Sequence, residues 1–514
     1  MKSQSTGKGF LVLSISSLIV KLIGLLNVPI LNIIITTEGY GVYNFAYMVF
    51  AFIYTINLGV SVAISKVVSH YTSIDDEKSS RQCFENAKVI IYIFGIGIGL
   101  IMFFFSRFLA NLLNFPDAYL TIKMFSPTVL ISGILAAYRG YFQGKRNMIP
   151  TAISEIVEQI INVPVSLYFA SKWIEGGIAK GCAGTTIGSF MGAIISLIYL
   201  RILFIKSEKN RHNYSFSKNM VKEILKYAIP IVLILGLQQF VSVVDSAQIQ
   251  GRLLYIGLDS SQAKKLFGIL GNFNTLINVP MTVISSLSTA LLPSITSSLA
   301  LKDNINLQNK ISYGFKLCIL ISIPAFAGLT VLSSPIYKML YPTAAEGYVL
   351  MRYGAIIILL WSIMQIQVTI LQSMSKTYRL FLHIFIGDVF RIVVNYVLVG
   401  VPSINVKGAI VGIAIGFLIP AILNQYYINK ELNIKLRLYN FSLKVVISSL
   451  IMGIGCYIFQ SNLLSIFNKI VSSNYIANVL SVLISVLVGI GIYGLLVYVL
   501  GAVKKEEIKF FIKR

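Results

Sequence analysis

Along the whole chain, apolar runs of twenty or more residues alternate with short polar breaks. The first run extends from Phe10 to Ile35, and others lie near 40–64, 88–113, 120–143, 150–171 and 178–205. After a polar loop, further runs lie near 222–250, 264–297, 309–333, 348–372, 379–401, 406–429, 442–462 and 475–502. Each is close to the ~20 residues an α-helix needs to cross a bilayer, which predicts about 14 transmembrane helices. The fold class expected is an all-α polytopic membrane protein. The first run is too long for a signal-peptide core and lacks a small-residue cleavage pattern, so it reads as a retained helix.

Polar residues interrupt this pattern most densely between 138 and 164. Gly144 to Pro150 reads as a tight turn, with Gly for backbone freedom and Pro suited to a first helical turn. Beyond it, Glu155, Glu158, Gln159 and Asn162 recur at helical spacing and form one polar stripe on an apolar rod. Charge in hydrocarbon costs several kcal/mol, so such a stripe faces protein or water. Arg139 and Glu155 lie at equal sequence distance on either side of the turn. At ~1.5 Å per residue both sit about 7–8 Å into the membrane, which predicts that they pair. The pair reads either as a clamp closing a helical hairpin or as a direct substrate contact; a gate or structural role is assigned to Arg139, Glu155, Glu158 and Asn162.

Composition agrees with the pattern: of 514 residues, 56% are hydrophobic and 12% charged, with mean hydropathy +0.79. No polar stretch is long enough to hold a soluble domain. The net charge of +24 is not a nucleic-acid footprint, because the basic residues fall between apolar runs. It is explained by loops facing anionic lipid. With the N-terminus inside, inner segments hold about 28 Lys and Arg and outer ones about 9, so both termini are expected to be cytoplasmic. The loop Lys206–Lys222 and the tail from Lys504 carry much of that excess. Four cysteines and three histidines are scattered without ligand spacing, so no metal or cofactor is expected. No phosphate-binding Gly-rich loop with Lys-Ser/Thr occurs, and outer-loop acids are few and dispersed, which argues against an enzyme.

The chain also repeats. Glu155-x-x-Glu158-x-x-x-Asn162 has a counterpart in Asp388-x-x-Arg391-x-x-x-Asn395, 233 positions later. Gly177-Ile-Ala-Lys-Gly181 matches Gly408-Ala-Ile-Val-Gly412 at 231, and Tyr40-Gly41 matches Phe267-Gly268 at 227. An offset of six helices gives parallel repeats, as in transporters with a central cavity. The expected organisation is a six-helix lobe over 1–206, a second over 207–430, and two added helices with a tail over 431–514.

Several segments carry a family resemblance: Leu18-Ile-Val-Lys-Leu-Ile-Gly24, Glu38-Gly-Tyr-Gly-Val-Tyr43, Arg139-Gly-Tyr-Phe-Gln-Gly144, Asn147-Met-Ile-Pro-Thr151 and Ile277-Asn-Val-Pro280. Over most of its length the chain resembles the stage V sporulation protein B/YtgP-like branch of the multidrug/oligosaccharidyl-lipid/polysaccharide (MOP) exporter superfamily. The resemblance implies a flippase in the bacterial plasma membrane. Its cargo is an undecaprenyl-pyrophosphate-linked cell-wall precursor, lipid II or another lipid-linked oligosaccharide, carried from inner to outer leaflet by alternating access. Members often carry an Arg in the first helix where this chain has Asn27.

Such cargo needs buried cations for phosphate, polar groups for sugar and a lipid-facing exit. Lys21 is the leading phosphate candidate, with Asn27 nearby and Lys66 and Arg391 as further cavity candidates. Lys21 paired with Asp245, Arg391 paired with Asp388, and Lys66 snorkelling to the interface are the plain structural alternatives. Asp245 and Asp388 are the candidates for a coupling cation or a charge pair. The partners expected are the lipid-linked oligosaccharide, membrane lipids, and a coupling cation or the membrane potential; the chain is taken as a monomer. A cation-coupled multidrug antiporter is the alternative on the same fold, and a membrane glycosyltransferase or polymerase is a more remote one.

Overall fold

The computed structural model describes residues 6–207, 216–432 and 438–503, which form helices and turns without a strand. The middle of the Lys206–Lys222 loop and the tail from Lys504 lie outside the described residues. The helices are α1 Thr6–Ser73, α2 Glu77–Leu112, α3 Tyr119–Gly144, α4 Ile149–Trp173, α5 Ile178–Ser207, α6 Lys218–Tyr255, α7 Ser260–Ala300 and α8 Asn304–Val331. They continue with α9 Ser333–Leu340, α10 Tyr348–Gly354, α11 Ile357–Ser373, α12 Thr377–Val399, α13 Lys407–Leu432, α14 Tyr439–Ile470 and α15 Asn474–Val499.

Among the described residues, 11 helices are long and apolar enough to cross a membrane, or up to 12 if the bent pair ending in α11 is one span. The difference from the expected number has two sources. α1 holds the first two expected spans and breaks at Thr36, with φ 65° and ψ 167°. There the Thr36 hydroxyl accepts the Gly39 N–H at 3.3 Å, a cap that starts the second half. α4 carries the polar stripe and is not among the helices that pass by length and apolarity. By internal contacts the chain forms two compact units, Met1–Gly271 and Asn272–Arg514. This partition differs in kind from the repeat-based limits at 206 and 430.

The same turns are built in both units. Between α1 and α2, Asp75 is left-handed at φ 56°. Asp76 N–H reaches back to Tyr71 O at 2.9 Å, and the Asp76 carboxylate accepts Ser79 N–H at 2.9 Å. Between α7 and α8, Lys302 is left-handed at φ 53°, Asp303 N–H reaches Ser298 O at 3.1 Å, and the Asp303 carboxylate accepts Asn306 N–H at 3.0 Å. Each ends one helix with a backward hydrogen bond and caps the next with the following carboxylate. The α3–α4 turn, with Arg146 at φ 55°, is matched by the α11–α12 turn, with Ser375 at φ 58°.

Gly144 therefore does not supply the turn's backbone freedom, as expected from sequence; Arg146 adopts the left-handed conformation. Gly144 instead permits close packing, since a Cβ there would lie 2.9 Å from Ser65 O on α1. A close approach over three successive glycines joins α4 and α5. Cβ atoms at Gly184 and Gly192 would lie 2.6 Å from Phe169 O and 2.5 Å from Glu158 O, and one at Gly188 would strike Asn162 O and Ser166. In the second unit, α13 repeats this against α12. Gly408 lies against Leu398, Gly412 against Asn395 and Gly416 against Arg391. The glycines that pack equivalently are thus Gly184, Gly188 and Gly192 with Gly408, Gly412 and Gly416, rather than the Gly177 and Gly181 pairing read from sequence.

Candidate functional site

The polar stripe of α4 is held by its neighbours within the first unit. Arg139, 8% exposed on α3, places Nη2 2.6 Å from Glu158 Oε2 and donates from Nε to Ser154 Oγ at 2.9 Å. Ser154 in turn donates to Thr151 O, while its own carbonyl accepts from Ser196 on α5 at 2.8 Å. The expected Arg139–Glu155 salt bridge is not formed. Glu155 accepts instead from Ser16 of α1, at 3.1 Å. Asn162 accepts from Ser166 at 2.8 Å and from Ser189 on α5 at 3.3 Å.

The physical reason lies in side-chain direction. Every Cα–Cβ bond of a helix tilts towards its N-terminus. α3 runs into the turn and α4 runs out of it, so Arg139 leans away from the turn and Glu158 leans back towards it. They meet one helical turn deeper than equal counting from the turn suggests.

The remaining sequence candidates lie on α1, α6 and α12. Lys21 is exposed on α1, and no ion pair to it is found among the described residues. Asp245 on α6 is 7% exposed, and no salt bridge between it and Lys21 is found among the described residues. Asn27 is half-buried, and its Oδ1 has no hydrogen-bond partner. Lys66 is exposed, with Nζ 4.1 Å from the Tyr227 ring centroid. In the second unit Arg391 and Asp388 pair along α12 at 3.6 Å, as the structural alternative anticipated.

Two features were missed from sequence. Lys264 of α7, only 5% exposed, pairs with Asp117 and lies 3.7 Å from Glu38. The second is an aromatic stripe in the second half of α1: Tyr40, Tyr43, Tyr47, Phe50 and Tyr54, at helical spacing. Phe50 stacks on Phe125 of α3, with centroids 4.6 Å apart. Tyr54 lies within electrostatic range of Arg139, Glu158 and Glu155, and Tyr47 within range of Glu158. The signal was present as Tyr40-x-x-Tyr43-x-x-x-Tyr47, but in an apolar helix it passes for ordinary membrane filling.

An intramembrane cluster of a guanidinium, carboxylates, amides and phenols is a candidate functional site, because such groups are costly in hydrocarbon. Comparison with known proteins agrees. The model of the family described as polysaccharide biosynthesis protein matches residues 6–299. The chain belongs to that family. Within it, stage V sporulation protein B of Bacillus subtilis (strain 168) is 25% identical over 459 residues, covering 87% of this chain and 88% of the relative. The lipid II flippase MurJ of the same organism is 24% identical over 482 residues, covering 88% of each. A structure of lipid II flippase MurJ in an inward closed conformation superposes with TM-score 0.72 at 16% identity, covering 95% of this chain and 98% of that one. An inward-facing multidrug resistance MATE family transporter of the MOP superfamily gives TM-score 0.70 at 12% identity, covering 84% and 98%. The structural likenesses show the fold. The family match and the two Bacillus subtilis relatives support the resemblance to the stage V sporulation protein B-like branch of the MOP superfamily seen in the sequence.

Proposed function

We propose that the protein is a flippase of the bacterial plasma membrane that moves an undecaprenyl-pyrophosphate-linked saccharide, lipid II or a related lipid-linked oligosaccharide, from the inner to the outer leaflet. The observation that carries this is family membership, supported by the Arg139–Glu158 ion pair set among apolar helices. In this reading α1 counts as two spans and α4 as one. The chain then has fourteen, in lobes at 1–206 and 207–430 with α14 and α15 added and both termini cytoplasmic. Lys21, exposed on an apolar helix and without a partner among the described residues, is the candidate for the phosphates, with Asn27 beside it. Lys66 and Arg391 are secondary candidates. Asp245 and Asp388 serve coupling to a cation or to the membrane potential. Arg139, Glu155, Glu158 and Asn162 form the structural and gating stripe.

Depletion of the protein, followed by mass spectrometry of membrane lipids, tests the reading. A lipid-linked saccharide should accumulate and remain inaccessible to enzymes added outside the cell. An unchanged lipid-linked pool, with lost resistance to cationic drugs, identifies the antiporter alternative instead.

A further inference from the structure

We infer that the aromatic stripe of α1 and the carboxylates of α4 together form a saccharide-binding wall, with Tyr47 as the ring that stacks on a pyranose of the cargo. The inference rests on the flippase reading and adds to it the site and the part of the cargo it holds.

Tyr47 sits in the second half of α1, yet its side chain is 46% exposed. Its ring is flanked by Tyr43 at 6.2 Å, Phe50 at 6.2 Å and Phe125 at 6.3 Å between centroids. These neighbours fix its orientation and leave the rest open. The same side chain lies within electrostatic range of Glu158, whose stripe is too polar to face lipid. Tyr47 and Tyr54 thus flank the polar cluster, and the neighbouring rings leave part of Tyr47 uncovered. Among the described residues, the hydroxyls of Tyr43, Tyr47 and Tyr54 make no hydrogen bond. Nor are they among the buried polar atoms lacking a partner. A phenol in that setting has unused hydrogen-bonding capacity and a free π face.

The arrangement suits a sugar better than a phosphate or a drug cation. A pyranose presents axial C–H bonds on a flat apolar face and hydroxyls around its rim. The face stacks on an aromatic ring, and the rim is matched by planar polar groups that both donate and accept. Glu155, bonded only to the Ser16 hydroxyl, retains acceptor sites, and the phenols supply donors. Arg139 is already engaged by Glu158 and Ser154, so its charge is not available to bind pyrophosphate. That leaves the phosphate to Lys21 and the sugar to this wall.

The test uses full-length protein in nanodiscs and two probes, undecaprenyl pyrophosphate and undecaprenyl-pyrophosphoryl-N-acetylglucosamine, with affinities measured by native mass spectrometry. Wild type should bind the sugar-bearing lipid more tightly. Tyr47→Ala should weaken it about tenfold, which converts to ~1.4 kcal/mol, and leave the sugarless lipid unchanged. Tyr47→Trp and Tyr47→Phe should stay within about threefold of wild type, since the ring face is retained. Loss of both lipids equally in Tyr47→Ala, or no loss in either, overturns the stacking role. A wild type that binds both probes equally overturns the saccharide wall and leaves the flippase reading intact, whereas one that binds neither overturns both. Should Tyr47→Ala not fold, Tyr47→Leu replaces it. Preference for the sugar-bearing lipid retained in that variant counts against the inference, and preference lost counts for it.

Discussion

The α4–α5 pair of the first unit and the α12–α13 pair of the second are built on one plan and charged differently. In both, three glycines spaced by four residues let one helix pack closely on its neighbour, mainly against backbone in the first pair and mainly against side chains in the second, opposite an Asn in the partner's stripe. The first pair carries Glu155 and Glu158 and takes its compensating charge from another helix, through Arg139 on α3. The second carries Asp388 and Arg391 and closes the charge within α12. A stripe that balances itself needs no third helix. One that must borrow a cation ties three helices together and leaves Glu155 with only a hydroxyl donor. The glycine packing is thus the shared scaffold, and the charge pattern is where the two pairs differ.

The comparison is broken most severely at the glycines. Gly188→Val should cost ~3 kcal/mol or prevent folding, because its added atoms meet Asn162 O, which is backbone and cannot yield. Gly412→Val should cost ~1 kcal/mol, because the first obstacle there is the Asn395 side chain, which can turn. Thermal unfolding in detergent measures both, and equal losses would mean that the Asn395 side chain yields no more readily than backbone.

Next come the charges. Arg139→Gln leaves Glu158 without its cation and should cost ~3 kcal/mol, the low end for a broken buried pair because Glu158 is partly open. Adding Glu158→Gln should recover most of that loss, and adding Glu155→Gln should recover little. Arg391→Gln should cost ~1 kcal/mol. A double-mutant cycle in which Glu155 couples to Arg139 more strongly than Glu158 does would reverse the assignment made from the structure.

The smallest effect concerns the matched caps. Hydrogen bonds from the first turn of α2 and of α8 hold the carboxyl groups of Asp76 and Asp303 below the usual range. A lowered folded-state pKa contributes stability that is present above the unfolded pKa of ~3.9 and is lost as pH falls through the folded value. Melting temperature should therefore fall slightly below about pH 4, and the loss should be smaller in an Asp76→Asn/Asp303→Asn double variant. An unaltered acid response in that variant would mean the caps titrate without consequence.

Much of this was legible in the chain. The apolar runs gave the helices, and the polar residues of α4 gave the stripe, because both depend on composition at a fixed period. The matched turns were also written locally, with Asp76 and Asp303 each standing just before a helix. What the sequence did not settle depends on direction around and along a helix. Equal distance from the turn pointed to Glu155, while the opposite tilts of α3 and α4 select Glu158. Lys264 finding Asp117 and Glu38 is a contact between distant segments, which periodicity does not reach. The Tyr47 stripe was visible as spacing but had no meaning until α4 was seen beside it.

The most direct measurement of the central claim is transport by the purified protein in proteoliposomes loaded with undecaprenyl-pyrophosphoryl-N-acetylglucosamine in one leaflet. Appearance of the sugar in the opposite leaflet is read with an added glycosyltransferase that cannot enter the vesicle. The account predicts transfer well above that of protein-free vesicles, retained in Lys21→Arg and lost in a Lys21→Gln variant that remains folded. Transfer no faster than in protein-free vesicles, with proton- or sodium-driven efflux of a lipophilic cation from the same preparation, would contradict it.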